Sequence, residues 1–162
     1  MGCSVKYSEI PSVEDKIPEF NFTDASLVRY EGSKKLVEVE AGSLEQYKDS
    51  AATYGKNIKF ISYNDEGNID TKGSCNYIYT NTDNEMYELY DNIEIISIAE
   101  EMKVIADALK WNGRSEQLTS GRGDVVKIEK ENTKLKGTGF SASGISKTFS
   151  FSGNVIGSVE TK

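Results

Sequence analysis

The chain has no histidine among its 162 residues. The usual general base near neutral pH and the commonest transition-metal ligand are therefore missing. Triads built on a histidine and imidazole metal centres are excluded. The two cysteines, Cys3 and Cys75, are far apart and lack CxxC or finger spacing, so neither zinc nor a disulfide framework is suggested. Glu100, Glu101, Asp107 and Glu116 could be assembled into an acid/base pair, but nothing in their spacing places two of them around a pocket. Asp65-Glu66-Gly67-Asn68-Ile69-Asp70 has part of a calcium-loop pattern, yet Tyr77 stands where the bidentate twelfth-position glutamate belongs. Arg122-Gly123-Asp124 is the integrin-binding tripeptide, but its glycine and aspartate also suit a tight turn. The expectation is a protein without catalytic residues, metal or cofactor.

What remains is a stock of apolar and aromatic side chains on successive extended segments. One set is Leu44, Tyr77, Leu109, Trp111 and Phe140; a second is Ile58, Phe60, Leu89, Ile93, Ile95, Val126, Ile128, Phe149, Phe151 and Val155. They can form the sealed core of a structural or adhesion module. They can equally line a trough that takes acyl chains. Strand parity alone does not say which apolar face would line it.

These residues sit in a repeat. Apolar anchors at Leu44, Cys75, Leu109 and Phe140 follow small residues and are separated by 31, 34 and 31 positions. Asn57, Asn92, Asp124 and Asn154 precede alternating apolar residues and are separated by 35, 32 and 30 positions. Two ladders in phase predict a stacked array of β units, with polar turns at the Asn/Asp positions. Leu36 to Ala41 alternates, with Val37, Val39 and Ala41 on one face, and Thr148 to Ser152 places Phe149 and Phe151 together. Between Ile95 and Trp111, the residues Ile98, Ala99, Met102, Ile105, Ala106 and Leu109 have helical spacing. Alignment with the sister repeats favours instead a strand ending near Ser97, a turn at Glu100-Glu101, and a strand through Val104, Ala106 and Ala108.

Residues 1–20 carry both prolines and no sustained period, and read as a tether; 21–162 form the β domain. No run approaches the length of an apolar membrane span. Met1-Gly2-Cys3-Ser4 matches what remains of a bacterial lipoprotein signal after its apolar part is lost, which makes Cys3 a lipidation candidate beside the alternative of an incidental cysteine. Asp and Glu outnumber Lys and Arg by 26 to 19, so the summed field repels phosphate backbones and nucleic acid is not an expected partner.

From Phe22-Thr23-Asp24-Ala25-Ser26-Leu27 through Leu36 to Leu44, the Asn turns at 57, 92 and 154, Leu109-Lys110-Trp111, and Leu135 to Phe140 followed by Phe151 to Gly157, the chain resembles the LptC family of lipopolysaccharide export and the related OstA-like β proteins. The resemblance covers about Phe22 to Val159. It implies an all-β, open and twisted antiparallel β-jellyroll without enzymatic activity. Such a protein receives lipopolysaccharide or a related amphiphile from an inner-membrane ABC transporter and passes it to a downstream periplasmic jellyroll. The resemblance implies a place in the periplasm, anchored to the inner membrane. Acyl chains would contact Leu44, Ile58, Phe60, Tyr77, Leu89, Ile93, Ile95, Leu109, Trp111, Val126, Phe140, Phe149 and Phe151. Partner edges would be the Phe22 to Tyr30 strand, with Phe22 and Leu27, on the transporter side, and Val155, Ile156 and Val159 downstream. Phosphate-facing cations would come from Lys103, Lys110, Arg114, Arg122 and Lys127. Family members carry an N-terminal membrane helix; in this chain a lipidated Cys3 or an upstream segment would supply the anchor.

Overall fold

Alternating side chains, β-branched and aromatic residues and Asn/Gly turns all favour pleated strands over helix. A computed structural model describes residues 17–47 and 51–161, and among these there are strands and no helix. Cys3 and most of the expected tether lie outside the described residues. The strands are β1 (Phe20–Glu31), β2 (Lys34–Tyr47), β3 (Ala52–Tyr63), β4 (Ile69–Asn81), β5 (Met86–Ser97), β6 (Met102–Asn112), β7 (Gln117–Thr119), β8 (Val125–Lys130), β9 (Thr133–Thr138), β10 (Phe140–Ser143), β11 (Thr148–Phe151) and β12 (Val155–Val159). All pair antiparallel. One path runs β1-β2-β3-β4-β5-β6-β7-β10-β11, while β8 joins β6 to β9 and β9 joins β12. The sheet does not close into a barrel, as expected of an open jellyroll.

The stretch from Ile95 to Trp111 is strand, turn and strand, with Glu101 at φ 48° in the turn. Repeat phase therefore outweighs the local helical spacing, because each strand here finds a partner on both sides.

A crease crosses the first six strands and splits the sheet into two leaves. Pairing skips Asp24 between Ala25↔Ala41 and Thr23↔Ser43, and skips Asn57 between Ala41↔Ile58 and Ser43↔Lys56. The register shifts again between Ser74 and Tyr77 in β4 and between Tyr90 and Ile93 in β5. Asp24, Asn57, Asp91 and Asn92 take left-handed conformations there, with φ of 51°, 54°, 61° and 50°. Asn and Asp tolerate that region better than other residues with a Cβ. Asn76 Nδ2 donates to Asp91 Oδ2 across the crease at 2.7 Å.

This corrects the expected polar turns at Asn57 and Asn92. They are kinks inside β3 and β5, whereas Asp124 and Asn154 directly precede β8 and β12. After β6 the leaves have separate strands, so the repeat's later copies do end in real loops. Asp124 Oδ2 accepts from the Gly121 N–H at 2.9 Å, and the Asp124 N–H donates to the Gly121 carbonyl at 3.2 Å. The Arg122-Gly123-Asp124 tripeptide is thereby accounted for as turn geometry.

Asn57→Val is expected to lower stability by about 1–2 kcal/mol, because a β-branched residue is strained at positive φ. Asn57→Gly should be neutral or mildly stabilising, and urea midpoints compare the two.

Candidate functional site: the faces between the two leaves

Each kink has a second effect that decides which side chains point inward. In β2 the inward residues are Val39 and Ala41 on one side of the crease and Leu44 on the other; in β4 they are Gly73 and Cys75, then Ile78. Alternation slips by one residue at the crease. Without the slip, an apolar face in one leaf would continue as the polar face of the other.

The first leaf carries two inward rows in register. Nearest the crease are Ala25, Ala41, Ile58, Cys75, then across the β4–β5 bulge Ile93, Ala106, Val126, Gly137 and Val155. The second row is Leu27, Val39, Phe60, Gly73, Ile95, Val104, Ile128, Leu135 and Gly157. Neither row contains a polar side chain. In the second leaf Phe22, Leu44, Gly55, Ile78, Leu89 and Leu109 align, and Phe140 pairs with Phe151 beyond them. Trp111, Leu118, Ala142 and Phe149 form the next row outward.

Burial is deepest in the middle of the sheet, where Val104 and Ile128 of the second row are no more than 3% exposed. Ile93 and Val126 are fully buried, whereas Phe60, Ile95, Trp111 and Phe149 are half-buried. Leu44, Leu89, Leu109 and Phe140 from one leaf share a single apolar cluster with Ile58, Cys75, Val126 and Ile128 from the other. The leaves are thus packed together along the crease. Farther out, a gap of about 190 Å³ separates Ile128 and Leu135 of the first leaf from Phe149 of the second.

Gly73 lies beneath Phe60: a Cβ there would come within 2.2 Å of the ring Cζ, so the aromatic ring occupies the space a larger residue would need. Cys75 is 3% exposed, and burial pushes its thiol up to about 11. It is a small hydrophobe here, inert as a nucleophile.

All the sequence-predicted acyl contacts except Tyr77 fall on inward rows. Tyr77 is on the outer face, in register with Lys56 and Tyr90 and 49% exposed, because the slip at Asn76 reverses parity after Cys75. The predicted cations are also elsewhere. Lys103 pairs with Glu94 at 2.6 Å and Lys110 with Glu88 at 2.8 Å on the outer faces, and Arg114 reaches the Asp83 carbonyl from a loop. Inward positions missed from sequence include Val104, Leu118 and Leu135, whose register could be read only once their partners were known. Lys130, beside the gap and 3.5 Å from Glu100, is a cation at its mouth.

A larger hollow of about 470 Å³ lies on the outer face of the first leaf, among Glu38, Glu40, Lys59, Lys72 and Glu94. Its charged lining does not suit an acyl chain. Beside it, Lys35 and the Tyr63 hydroxyl (2.8 Å) both donate to Glu38, and these bonds, Lys35 first, hold the Glu38 carboxyl below the usual range. A depressed carboxylate contributes stability above its unfolded pKa and loses it as pH falls through the folded one. The stability difference between the wild type and Glu38→Gln is therefore expected to shrink on acidification from neutrality to below the ordinary carboxylate range, as followed by urea titrations at stepped pH.

Residues 8–160 match the family described as "Lipopolysaccharide-assembly, LptC-related". The chain belongs to the LptC family. No curated protein matches it. Membership makes this LptC-related chain a component of lipopolysaccharide transport, in a family of the periplasmic envelope. Among the described residues no helix is long and apolar enough to cross a membrane.

Proposed function

We propose that this LptC-related protein takes the acyl chains of lipopolysaccharide between its two leaves, accepts them from an inner-membrane ABC transporter at the β1 side, and passes them to a downstream periplasmic jellyroll at the β12 side. The observation that carries this reading is the continuity of the inward rows to the sheet edges. Leu27 (51% exposed) on β1 and Val155 (46%) on β12 extend the apolar rows into open edge strands. Arg29, which shares the face of Leu27 on β1, and the five-residue length of β12 blunt these edges only in part. Here the edge invites strand addition that would prolong the rows into a partner.

Burial of apolar area at about 25 cal/mol per Å² can hold an acyl chain without a catalytic group. The crease-side rows are packed, so entry of a chain would part the leaves where side chains are half-buried. Anchoring to the inner membrane through Cys3 or an upstream segment belongs to the same proposal.

Trp111, the one tryptophan, stands on an inward row and reports on this directly. Titration with lipid A is expected to shift its emission saturably, and native mass spectrometry of protein from an envelope-containing host should find a co-purified amphiphile. A bare mass and an unresponsive Trp111 would support the sealed module instead.

A further inference from the structure

The outer face of the second leaf carries a row that the acyl-chain reading does not use. Glu45 of β2, Tyr54 of β3, Tyr79 of β4 and Glu88 of β5 are successive register partners. Two aromatic rings are therefore bracketed by two carboxylates across adjacent strands. The Tyr54 and Tyr79 centroids are 5.1 Å apart, and Tyr54 remains 49% exposed. Tyr77 and Tyr90, paired in the neighbouring row, are 49% and 38% exposed. Glu88 accepts from Lys110 at 2.8 Å and from the Tyr90 hydroxyl, which fixes its carboxylate at the end of the row.

Cross-strand stacking explains the ring contact. It does not explain why Tyr54, beside the half-buried Tyr79, stays open to water, as do Tyr77 and Tyr90 in the neighbouring row. Strands β2 to β5 have neighbours on both sides, so no strand can add here and recognition must come from side chains. The carboxylates, in a chain of net charge −7, disfavour an anionic membrane surface or a phosphate. A sugar fits both halves of the row: its C–H face packs on an aromatic ring, and its hydroxyls donate to carboxylate oxygens. Three strand spacings of about 4.8 Å make the row roughly 14 Å long, the span of a short oligosaccharide.

We propose that the row Glu45–Tyr54–Tyr79–Glu88 is a saccharide-binding site on the outside of the jellyroll, taking uncharged sugar units. The choice of probe draws on the lipopolysaccharide assignment, but the site itself does not depend on acyl chains entering between the leaves.

The test uses the neutral oligosaccharide fraction, free of phosphate and acidic sugars, of the polysaccharide released from lipopolysaccharide by mild acid, titrated into the full chain and followed by saturation-transfer NMR and tyrosine ring shifts. Saturable transfer to sugar C–H protons is expected. The double variant Tyr54→Ser/Tyr79→Ser should weaken binding roughly tenfold or more, about the effect of one lost ring contact. Glu45→Gln/Glu88→Gln keeps the side-chain shapes and should also weaken it, which guards against misfolding of the tyrosine variant. Lys136→Ala, on the outer face of the first leaf, should leave it unchanged. Absence of saturable transfer in the wild type, undiminished binding in both double variants, or preferential binding of anionic phosphatidylglycerol vesicles through the same tyrosines would overturn the proposal. None of these results bears on the Trp111 response to lipid A, so the two readings fail separately.

Discussion

Phe140→Ala is expected to lower the free energy of unfolding by about 3–5 kcal/mol, among the largest effects of any single truncation in this chain. Phe140 is 1% exposed, and its ring meets Phe151 at 5.5 Å and Phe149 at 6.3 Å. It belongs to β10, a four-residue strand, and its backbone N–H donates to the Ser120 hydroxyl at 2.9 Å while its carbonyl accepts from the Ser120 N–H at 2.9 Å. The ring is the point where β10 and β11 are tied to the apolar cluster near the crease. Removing it leaves a cavity among side chains that backbone pairing holds in place, so little collapse can offset the loss. Urea denaturation should move the midpoint without a large change in slope. Phe149→Ala, at a half-buried position facing the gap, should cost less; equal losses would mean the leaves are as tightly packed at the gap as at the crease.

Ile95→Glu is expected to weaken lipid A binding by about 100-fold, near 2.7 kcal/mol, while leaving the protein folded. Ile95 is inward, between Gly73 and Val104, and half-buried. A carboxylate there can reach water in the free protein, but an acyl chain over the row would strip that water away, at several kcal/mol for an unpaired charge. Its neighbour Ile96 faces outward, in register with Lys72 and Lys103. Ile96→Glu adds the same charge one residue along and should leave binding unchanged. Lipid A titrations of both variants, monitored at Trp111, make the comparison. Equal affinities for the two would remove the inward rows from the binding site.

Much of this architecture could be read before any strand was paired. The apolar ladder placed buried anchors at Leu44, Cys75, Leu109 and Phe140, with exposures of 7%, 3%, 1% and 1%. Repeat phase also resolved Ile95 to Trp111 as strand, turn and strand against its own helical spacing. Phe149 and Phe151 share a face because β11 is too short to cross the crease. The Asn/Asp ladder was visible as a period, but its meaning was not: Asn57 and Asn92 take a left-handed backbone and kink a strand, whereas Asp124 and Asn154 stand just before one. Asn57 and Asn92 kink because β3 and β5 are paired on both flanks across the crease; Asp124 and Asn154 begin strands because β8 and β12 lie in one leaf only.

By itself, then, the sequence determined the class of the protein: strands from alternation, a repeated β unit from period, no histidine chemistry from composition, and kinship to the LptC family from the ordered set of short motifs. Only the tertiary structure decided which side chains share a face. Tyr77 lies outside although Cys75 lies inside, and Lys103 and Lys110 point away from the gap between the leaves. The physical reason is the one-residue slip at the crease. Alternation is a local rule with period two, and a single unpaired residue reverses it for the remainder of the strand. Whether that residue is unpaired depends on the neighbouring strand's register, a contact between segments distant in sequence.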